Sequence, residues 1–342
     1  MRKKAITIKD IANQLHLNIS TVSRALKNHK SIKEETRKRV NDLATKLNYR
    51  PNALASSLRK GKGNTIGLIV PNVNRHFFSN LIYGVENILG PEGYNILICQ
   101  SNEMYSKEEQ AINTLINARV DGIIISISKE TKDSHHIEPI IERGIPIVQI
   151  DRVLNSLHTH KILNNNVKAS FDAVKHLIDK GYKKIAHLAG PQFINIYKDR
   201  FNGYCQAINE SNLEDKSLIM FENIITYQQG YDLANELFSG RNIPDAFFAA
   251  SDFSAMGVLQ ALKKLKIKIP EEIGIVGYAN EPFTELINPA ITTLDQFSIE
   301  MGKEAAKIML EDLCELNAPG KIKQVIVEPL LIVRESSNRP IK

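Results

Sequence analysis

Two short segments near the N-terminus carry apolar residues at the spacing of one buried helix face. They flank the three-residue break His16-Leu17-Asn18. Thr7 and Asp10, three positions apart, predict a capping-box start with Asp in place of the usual Glu, and Asn18 can cap the second segment. The residues predicted to face inward are Ile8, Ile11, Ala12, Leu15, Val22, Ala25 and Leu26. This pattern predicts two helices joined by a tight turn.

The outer face of the second predicted helix is polar and basic. Such a helix after a tight turn is typical of helix-turn-helix proteins, which place it in the DNA major groove. We predict that Ile19, Ser20 and Arg24 read bases and that Thr21 and Ser23 bind phosphates. Ile19 has no hydrogen-bonding group, so it can meet only a thymine methyl or another apolar edge. A helical pair that serves only packing is the alternative.

The pattern next predicts a third helix over about 34–47 and a short fourth helix over 52–58. Pro51 separates them, because the residue before a proline avoids the helical region, while proline itself suits the first turn of a helix. The basic, glycine-containing segment 59–64 then predicts a domain boundary.

From Thr65 onward short apolar runs alternate with amphipathic helices, which predicts parallel sheets covered on both faces. The order restarts after residues 161–164, so we expect two lobes with a cleft between them. Strands are predicted over 66–70, 95–99, 122–126, 146–150, 185–189, 219–225, 246–250, 273–277 and 325–333. Helices are predicted over 77–89, 107–117, 136–142, 167–179, 197–210, 228–238, 254–265 and 298–316.

Three segments carry a family resemblance: TIKDIA (7–12), STVSRAL (20–26) and SIKEETRKRVNDLATKLNYRPNALASSLRKGKGNTIGLIVP (31–71). With them the chain resembles the LacI/GalR family of bacterial transcription regulators over essentially its whole length. The resemblance implies an N-terminal all-α helix-turn-helix head with a hinge helix, then an α/β two-lobed body with parallel sheets, like that of periplasmic binding proteins. The implied domains are the head (1–50), the hinge helix and linker (51–63) and the body (64–342), with a first lobe of about 64–163 and 295–324 and a second of about 164–294 and 325–340.

The resemblance also implies a homodimer that binds a double-stranded DNA operator. Two recognition helices would enter successive major grooves, and the two hinge helices would pair at the operator centre. Asn52, Ala55 and Leu58 are the hinge residues predicted to contact DNA, with Leu58 as an apolar wedge in the minor groove.

Charge is divided unevenly along the chain. Residues 1–62 hold 16 Lys/Arg and 4 Asp/Glu, a net charge of +12, whereas the remainder has a net charge of −6. A basic head on an acidic body indicates that the head alone binds a polyanion.

Composition argues against several other classes of protein. The sequence has no run of 18 apolar residues and no apolar signal core, so we expect a cytoplasmic protein with no membrane partner. Cys99, Cys205 and Cys314 lie far apart in apolar surroundings and are predicted to be reduced core residues. Neither a metal nor a cofactor is expected, and His135-His136 and His158-Thr159-His160 are assigned to exposed loops.

Ligands of open parallel sheets bind beyond the carboxyl ends of the strands, where this chain has residues that suit a polyhydroxylated ligand. Arg and Asp form directional hydrogen bonds to hydroxyls, and an aromatic ring can cover the apolar face of a sugar. The predicted effector-binding residues are Asn72, Phe77, Phe78, Asn102, Asp151, Arg152, Arg200, Asp252 and Asn280. Asp151 and Arg152 could instead form a satisfied ion pair, and at least one of the two phenylalanines is expected to be packed.

Asp151, Arg152, Arg200 and Asp252 match the effector-pocket motifs of the family. Three positions depart from them: Asn165 and Ala279 stand where many relatives have Asp, and Ile225 where several have an aromatic residue. Two lost carboxylates and one lost ring alter the usual effector chemistry.

These features predict a sequence-specific transcription regulator, most often a repressor in this family, whose operator affinity is changed by a small ligand between the lobes. A sugar or sugar derivative is the expected ligand. A regulator controlled by a partner protein is an alternative that the pocket departures motivate. The other alternative is an enzyme that kept a DNA-binding head, but no G-x-S-x-G elbow or paired catalytic carboxylates support it.

Overall fold

The computed structural model describes residues 6–49, 63–213, 219–240, 243–314 and 321–340. The chain divides into two compact units, Met1–Gly63 and Asn64–Lys342, which we call the head and the body. The predicted hinge helix, with Asn52, Ala55 and Leu58, lies outside the described residues.

Three helices build the described part of the head: α1 (Ile8–Leu15), α2 (Ile19–Leu26) and α3 (Glu34–Lys46). The buried core residues are Ile11, Ala12, Val22, Ala25, Val40 and Ala44. The other residues predicted to face inward pack against this core and are partly buried. The helical periodicity of the sequence is therefore confirmed.

The start of α1 is the predicted capping box. The Thr7 backbone N–H donates to Asp10 Oδ2 at 2.8 Å, and the Asp10 N–H donates to Thr7 Oγ1 at 3.3 Å. His16 ends α1 in the left-handed region at φ 54°. Asn18 occupies the N-cap position of α2, but its side chain makes no cap hydrogen bond, so the prediction of a side-chain cap is wrong; its backbone carbonyl accepts from Val22 instead.

The first lobe of the body is built on six parallel strands. Their order across the sheet is β2 (Asn95–Gln100), β1 (Thr65–Val70), β3 (Gly122–Ile125), β4 (Ile147–Ile150), β5 (His160–Asn164) and β11 (Gln324–Val327). One face is covered by α4 (His76–Leu89) and α12 (Ser298–Cys314), and the other by α5 (Tyr105–Ala118) and α6 (Glu138–Glu142). Coverage on both faces explains why the inner strands β1, β3 and β4, which are buried almost throughout, read as continuous apolar runs.

The helices α4 and α12 cross with their backbones in close approach. A Cβ atom at Gly84 would lie 2.2 Å from the Ile299 carbonyl oxygen, and one at Gly302 would lie 2.2 Å from the Leu81 carbonyl oxygen. Because a backbone atom cannot swing aside as a flexible side chain can, glycine is required at both positions. These two glycines let the last helix of the chain return to the first lobe.

The second lobe is built on four parallel strands in the order β7 (Ile219–Phe221), β6 (Ile185–Leu188), β8 (Ala246–Ala249) and β9 (Gly274–Val276). One face is covered by α7 (Asn166–Asp179) and α8 (Asn195–Glu210), and the other by α9 (Tyr227–Phe238) and α10 (Asp252–Lys264). β10 (Thr293–Asp295) pairs antiparallel with β12 (Leu330–Ile332), and two short helical segments, α11 (Phe283–Leu286) and a 3₁₀ turn (Glu335–Ser337), complete the lobe. The predicted two-lobed α/β body is confirmed.

The prediction for the last strand is wrong in two respects. The single strand expected over 325–333 is two strands, because Glu328 and Pro329 interrupt it. Its first part, β11, pairs with β5 in the first lobe, although we assigned residues from 325 onward to the second lobe. The strand β5 itself was not predicted, because its buried positions include the polar residues His160 and Asn164.

The assignment of the histidine pairs to exposed loops is wrong for three residues. His136 is buried, with its Nε2 2.7 Å from Glu108 Oε1. Thr159 accepts from Gln149 Nε2 at 2.8 Å, and His160 Nε2 lies 3.1 Å from Asp312 Oδ1. In each case a polar partner inside the body compensates burial.

The three cysteines carry no disulfide, but they are not core residues as predicted. Cys99 and Cys205 are half-buried and Cys314 is exposed. In the described part of the chain, no helix combines the length and apolarity needed to cross a membrane. Within the same residues, no group of three or more His, Cys, Asp or Glu is placed to hold a metal ion.

Candidate DNA-binding and ligand-binding sites

The second helix of the head presents a mixed surface to solvent. Ile19 is 43% exposed, although it is a large apolar residue at the front of α2. Ser20 and Arg24 are also exposed, and Thr21 and Ser23 are half-buried beside them. The opposite face is closed by packing, so the side chains predicted to contact DNA share one accessible face.

A cavity of about 110 Å³ lies between the two lobes of the body. It is bordered where β1, β4, β8 and β9 end, as the rule for open parallel sheets predicts. The residues that line it are Arg75, Phe77, Phe78, Glu103, Asp151, Arg152, Ile196, Tyr197, Arg200, Ile225, Ala250, Ser251, Asp252, Phe253, Tyr278, Ala279, Glu281 and Gln296. We call it the central cavity.

The central cavity brings together six of the nine predicted effector-binding residues: Phe77, Phe78, Asp151, Arg152, Arg200 and Asp252. Asn72, Asn102 and Asn280 do not line it. The Asn280 amide is instead held by Asp295 Oδ2 at 3.1 Å and by Arg334 Nη2 at 2.9 Å.

Phe77 and Phe78 belong to both the core and the cavity. They are 7% and 4% exposed and meet edge to face, with ring centroids 5.0 Å apart. The expectation that at least one is packed is confirmed, because both contact the core of the first lobe. They form a rigid apolar wall of the cavity.

Arg200 is fixed within the second lobe. Its Nε donates to Asn166 Oδ1 at 2.9 Å, and its Nη1 donates to the Ala250 carbonyl at 2.8 Å. Its guanidinium lies 3.5 Å from the centre of the Tyr278 ring. Burial raises the pKa of Tyr278 to about 12, so its hydroxyl stays protonated and donates to Asn166 Oδ1 at 2.9 Å. Arg200 therefore presents a positioned positive charge at the wall.

Asp252 is 1% exposed and accepts hydrogen bonds from the protein itself. The Thr293 hydroxyl donates to Oδ1 at 2.7 Å, and the Glu281 backbone N–H donates to Oδ2 at 2.8 Å. A Cβ atom at Gly277 would lie 2.1 Å from Oδ1, so a larger residue there would displace this carboxyl. Burial raises the pKa of Asp252 to about 7 despite these hydrogen bonds. This carboxyl joins α10 to two following segments of the lobe.

Arg152 is buried beside the cavity and pairs with Glu103, its Nη1 lying 2.7 Å from Glu103 Oε2. Burial alone would raise the pKa of Glu103, but the Arg152 charge and the hydrogen bonds from Arg152 and Lys129 bring it below its ordinary value. The Arg152 Nε is fully buried and has no hydrogen-bond partner among the described residues. Arg152 is therefore held by Glu103.

Asp151 precedes Arg152 at the end of β4 and adopts a left-handed backbone conformation, φ 63°. Its backbone carbonyl accepts from Asn195 Nδ2 at 3.0 Å. Its carboxylate makes no hydrogen bond or salt bridge to any described residue, although the residue is only 4% exposed. Burial raises its pKa, opposed by the charges of Arg152 and Arg200. The alternative of a satisfied Asp151–Arg152 ion pair is wrong, because Arg152 pairs with Glu103.

The three residues that depart from the family motifs do not all lie at the central cavity. Ile225 and Ala279 line the central cavity. Asn165 does not: it caps α7, accepting from the Lys168 N–H at 3.2 Å, and its amide donates to Glu328 at 3.0 Å. Only the departures at Ile225 and Ala279 therefore change the cavity wall.

Sequence reasoning missed several residues of the wall, among them Glu103 and Tyr197. Glu103 directly follows Asn102, which we did predict, in the loop after β2. Tyr197 lies three residues before Arg200 on α8, and residues three apart share a helix face. Its ring centroid lies 5.9 Å from the Arg152 guanidinium and 5.7 Å from the Arg200 guanidinium. Neighbour positions along the predicted elements would have identified both.

Comparison with known proteins agrees with this architecture. Residues 7–52 match the family model for bacterial regulatory proteins of the lacI family, and residues 63–325 match the model for periplasmic binding proteins and the sugar-binding domain of the LacI family. The HTH-type transcriptional repressor PurR of Vibrio atlanticus (strain LGP32) is 32% identical over 307 residues, which cover 89% of this chain and 91% of that protein.

Two further comparisons cover nearly the whole chain. Catabolite control protein A of Priestia megaterium is 29% identical over 322 residues, 94% of this chain and 96% of that protein. The crystal structure of the lac repressor dimer bound to operator and the anti-inducer ONPF has a TM-score of 0.85 at 20% identity, with 98% of this chain and 99% of that chain covered, and so shows the same fold. The chain therefore belongs to the LacI family of bacterial regulatory proteins, as a DNA-binding transcriptional repressor with a helix-turn-helix head and a two-lobed body.

Proposed function

We propose that the protein binds a double-stranded DNA operator as a homodimer in the cytoplasm and that a carbohydrate or carbohydrate derivative in the central cavity changes its operator affinity. The DNA-binding surface is the exposed face of α2, with Ile19, Ser20 and Arg24 on bases. Thr21 and Ser23 sit beside them for phosphate contacts.

The observation that carries the effector proposal is the Asp151 carboxylate, which lines the cavity and receives no hydrogen bond from any described residue. Polar groups inside proteins are nearly always hydrogen-bonded. A sugar hydroxyl in the cavity can donate the hydrogen bond that this carboxylate lacks. The flat rings of Phe77 and Tyr197 complement the apolar face of a sugar ring.

A ligand there would couple to the arrangement of the lobes, since the wall comes from both. Asn195 of the second lobe already bridges to the first: its Oδ1 accepts from the Val153 N–H at 3.0 Å and its Nδ2 donates to the Asp151 carbonyl. If the ligand binds one arrangement of the lobes more tightly than another, ligand binding and DNA binding are coupled by typically ~1–3 kcal/mol. The coupling is reciprocal, so DNA changes the ligand affinity by the same factor as the ligand changes the DNA affinity.

The test is operator affinity measured by fluorescence anisotropy in the presence of a panel of sugars and sugar derivatives. At least one compound should change the affinity, and Asp151→Asn should remove that response while leaving ligand-free operator binding unchanged. Asp172→Asn, a surface carboxylate paired with Lys168, is the matched control. If no compound in the panel changes the operator affinity, control by a partner protein is favoured. The altered wall positions Ile225 and Ala279 are the reason for keeping this alternative.

A further inference from the structure

Within the described residues, three segments lead from one lobe of the body to the other. Residues 164–166 lead from β5 to α7, residues 295–298 lead from β10 to α12, and residues 327–330 lead from β11 to β12. Any change in the angle between the lobes must be absorbed by backbone torsions in or beside these segments. We call them the crossing segments.

The side chain of Asn164, in the first crossing segment, is hydrogen-bonded to the other two. Its Nδ2 donates to the carbonyl oxygens of Gln296 and Val327, both at 3.1 Å, and its Oδ1 accepts from Gln296 Nε2 at 3.0 Å. Asn164 and Gln296 are 6% and 4% exposed. Breaking these bonds would leave buried polar groups unsatisfied, so one amide holds all three crossing segments in a single arrangement.

The second crossing segment also has a strained backbone. Phe297 adopts the left-handed conformation, φ 50°, which bulky residues rarely adopt. Its N–H donates to Asp295 Oδ1 at 2.8 Å, and the residue before it, Gln296, is bonded to Asn164. A strained conformation persists only where the surrounding structure holds it. The hydrogen bonds of Asn164 supply part of that support.

A further set of hydrogen bonds connects Asn164 to the wall of the central cavity. Asn166 is 3% exposed, and its Nδ2 donates to the Asn164 carbonyl at 3.3 Å. Its Oδ1 accepts from Arg200 Nε and from the Tyr278 hydroxyl, both at 2.9 Å. Gln296, the other partner of Asn164, lines the cavity directly. The position of Arg200 is therefore linked to the crossing segments by buried, directional contacts.

We propose that Asn164 is a positioning residue that fixes the angle between the lobes and links this angle, through Asn166 and Gln296, to the wall of the central cavity. The regulatory meaning of this inference rests on the proposed function. Its structural part requires no ligand: in the ligand-free protein, loss of the Asn164 amide lets the lobes separate more often.

Hydrogen–deuterium exchange of the ligand-free full chain, analysed by mass spectrometry, tests this inference. The Val153 N–H is the reporter, because it donates from the first lobe to Asn195 Oδ1 of the second at 3.0 Å and belongs to no crossing segment. Exchange of such an amide scales with how often its hydrogen bond opens. Asn164→Ala should therefore accelerate exchange in the peptide that contains Val153 by about tenfold, and Asn166→Ala by about threefold.

The matched control is Asn235→Ala. Its Nδ2 donates to the Tyr231 carbonyl at 2.8 Å within α9, so this variant loses an amide hydrogen bond without touching the crossing segments. Its exchange at Val153 should equal that of the wild type. If Asn164→Ala accelerates exchange only over 160–168, or equally throughout both lobes, Asn164 has a merely local or global structural role and the inference is overturned.

Two further outcomes complete the test. If Asn166→Ala leaves exchange at the reporter unchanged, the link to Arg200 is overturned. If Asn164→Ala does not fold, Gln296→Met replaces it, since this variant removes only the donor to Asn164 Oδ1, and it should accelerate exchange at the reporter about threefold. Every measurement is made without a sugar, so its failure is distinct from a failure of the effector proposal, which the sugar panel tests.

Discussion

The buried carboxyl of Asp252 should make the stability of the body depend on pH in the neutral range. Its pKa is about 7 in the folded protein against 3.8 for an ordinary Asp, and burial is the main cause. Because the folded state binds this proton more tightly than the unfolded state, the contribution to stability is fully present below pH 3.8. It is lost as the pH rises through about 7.

The size of the effect follows from those two values. One pKa unit corresponds to 1.36 kcal/mol, so Asp252 alone should lower the free energy of unfolding by about 2.5 kcal/mol between pH 5 and pH 8. Asp252→Asn removes the titration while keeping a similar shape: the Asn Oδ1 can accept from the Glu281 N–H, and the Thr293 hydroxyl can turn to accept from the amide. The stability of this variant relative to wild type should therefore increase by about 2.5 kcal/mol over that range.

Urea unfolding followed by circular dichroism measures this, since the chain has no Trp for fluorescence. Wild type, Asp252→Asn and the surface control Asp172→Asn are compared at pH 5, 6, 7 and 8. The control should keep a constant difference from the wild type across the series. A constant difference for Asp252→Asn as well would show that the Asp252 carboxyl is ionised throughout, held so by Thr293 and the Glu281 N–H, and would refute the argument from burial.

Three further predictions concern DNA. Residues 64–342 expressed alone should show no salt-sensitive DNA binding, whereas the full chain should lose affinity by roughly 0.9 log unit per log unit of salt for each phosphate neutralised; DNA binding by the truncated body in low salt would contradict this. Arg24→Ala should cost about 1–3 kcal/mol in operator affinity and relax the base preference at one guanine. Selection from randomised operators measures this preference, and an equal loss of affinity on all sequences would instead identify Arg24 as a phosphate contact. Leu58→Ala should reduce operator affinity and bending but hardly change affinity for random DNA; equal losses on both, with bending unchanged, would show that Leu58 packs inside the protein.

The pattern of apolar residues was sufficient to predict helices with one buried face and strands buried on both faces. The head follows directly from apolar residues at helical spacing, and strands such as 66–70 and 122–126 follow from continuous apolar runs. It failed where buried positions are polar. β5 contains His160 and Asn164, which are satisfied by residues distant in the chain: Asn164 Nδ2 donates to the Gln296 and Val327 carbonyls, both at 3.1 Å. Only the fold brings those partners together.

The cavity was predicted in part for a related reason. The rule for strand ends found Asp151, Arg152 and Asp252, because each lies within three residues of the end of a buried strand. The rule could not decide which of these side chains would form hydrogen bonds or ion pairs within the protein. Asp252 is occupied by Thr293 and the Glu281 N–H, whereas Arg152 turns to Glu103 rather than to its neighbour Asp151, and sequence spacing contains neither pairing.

The hydrogen bonds divide the wall of the central cavity into two kinds of charged group. Arg200 and Asp252 are bonded to backbone and side chains of the second lobe, so truncating either to alanine leaves buried partners unsatisfied, which costs about 1–3 kcal/mol each. The Asp151 carboxylate has no such bond, so Asp151→Asn removes charge without removing a partner. A variant at Asp252 that abolishes the effector response cannot distinguish a lost ligand contact from a loosened lobe. A variant at Asp151 can, and for that reason the effector proposal depends on Asp151, although Arg200 and Asp252 were equally well placed in the sequence.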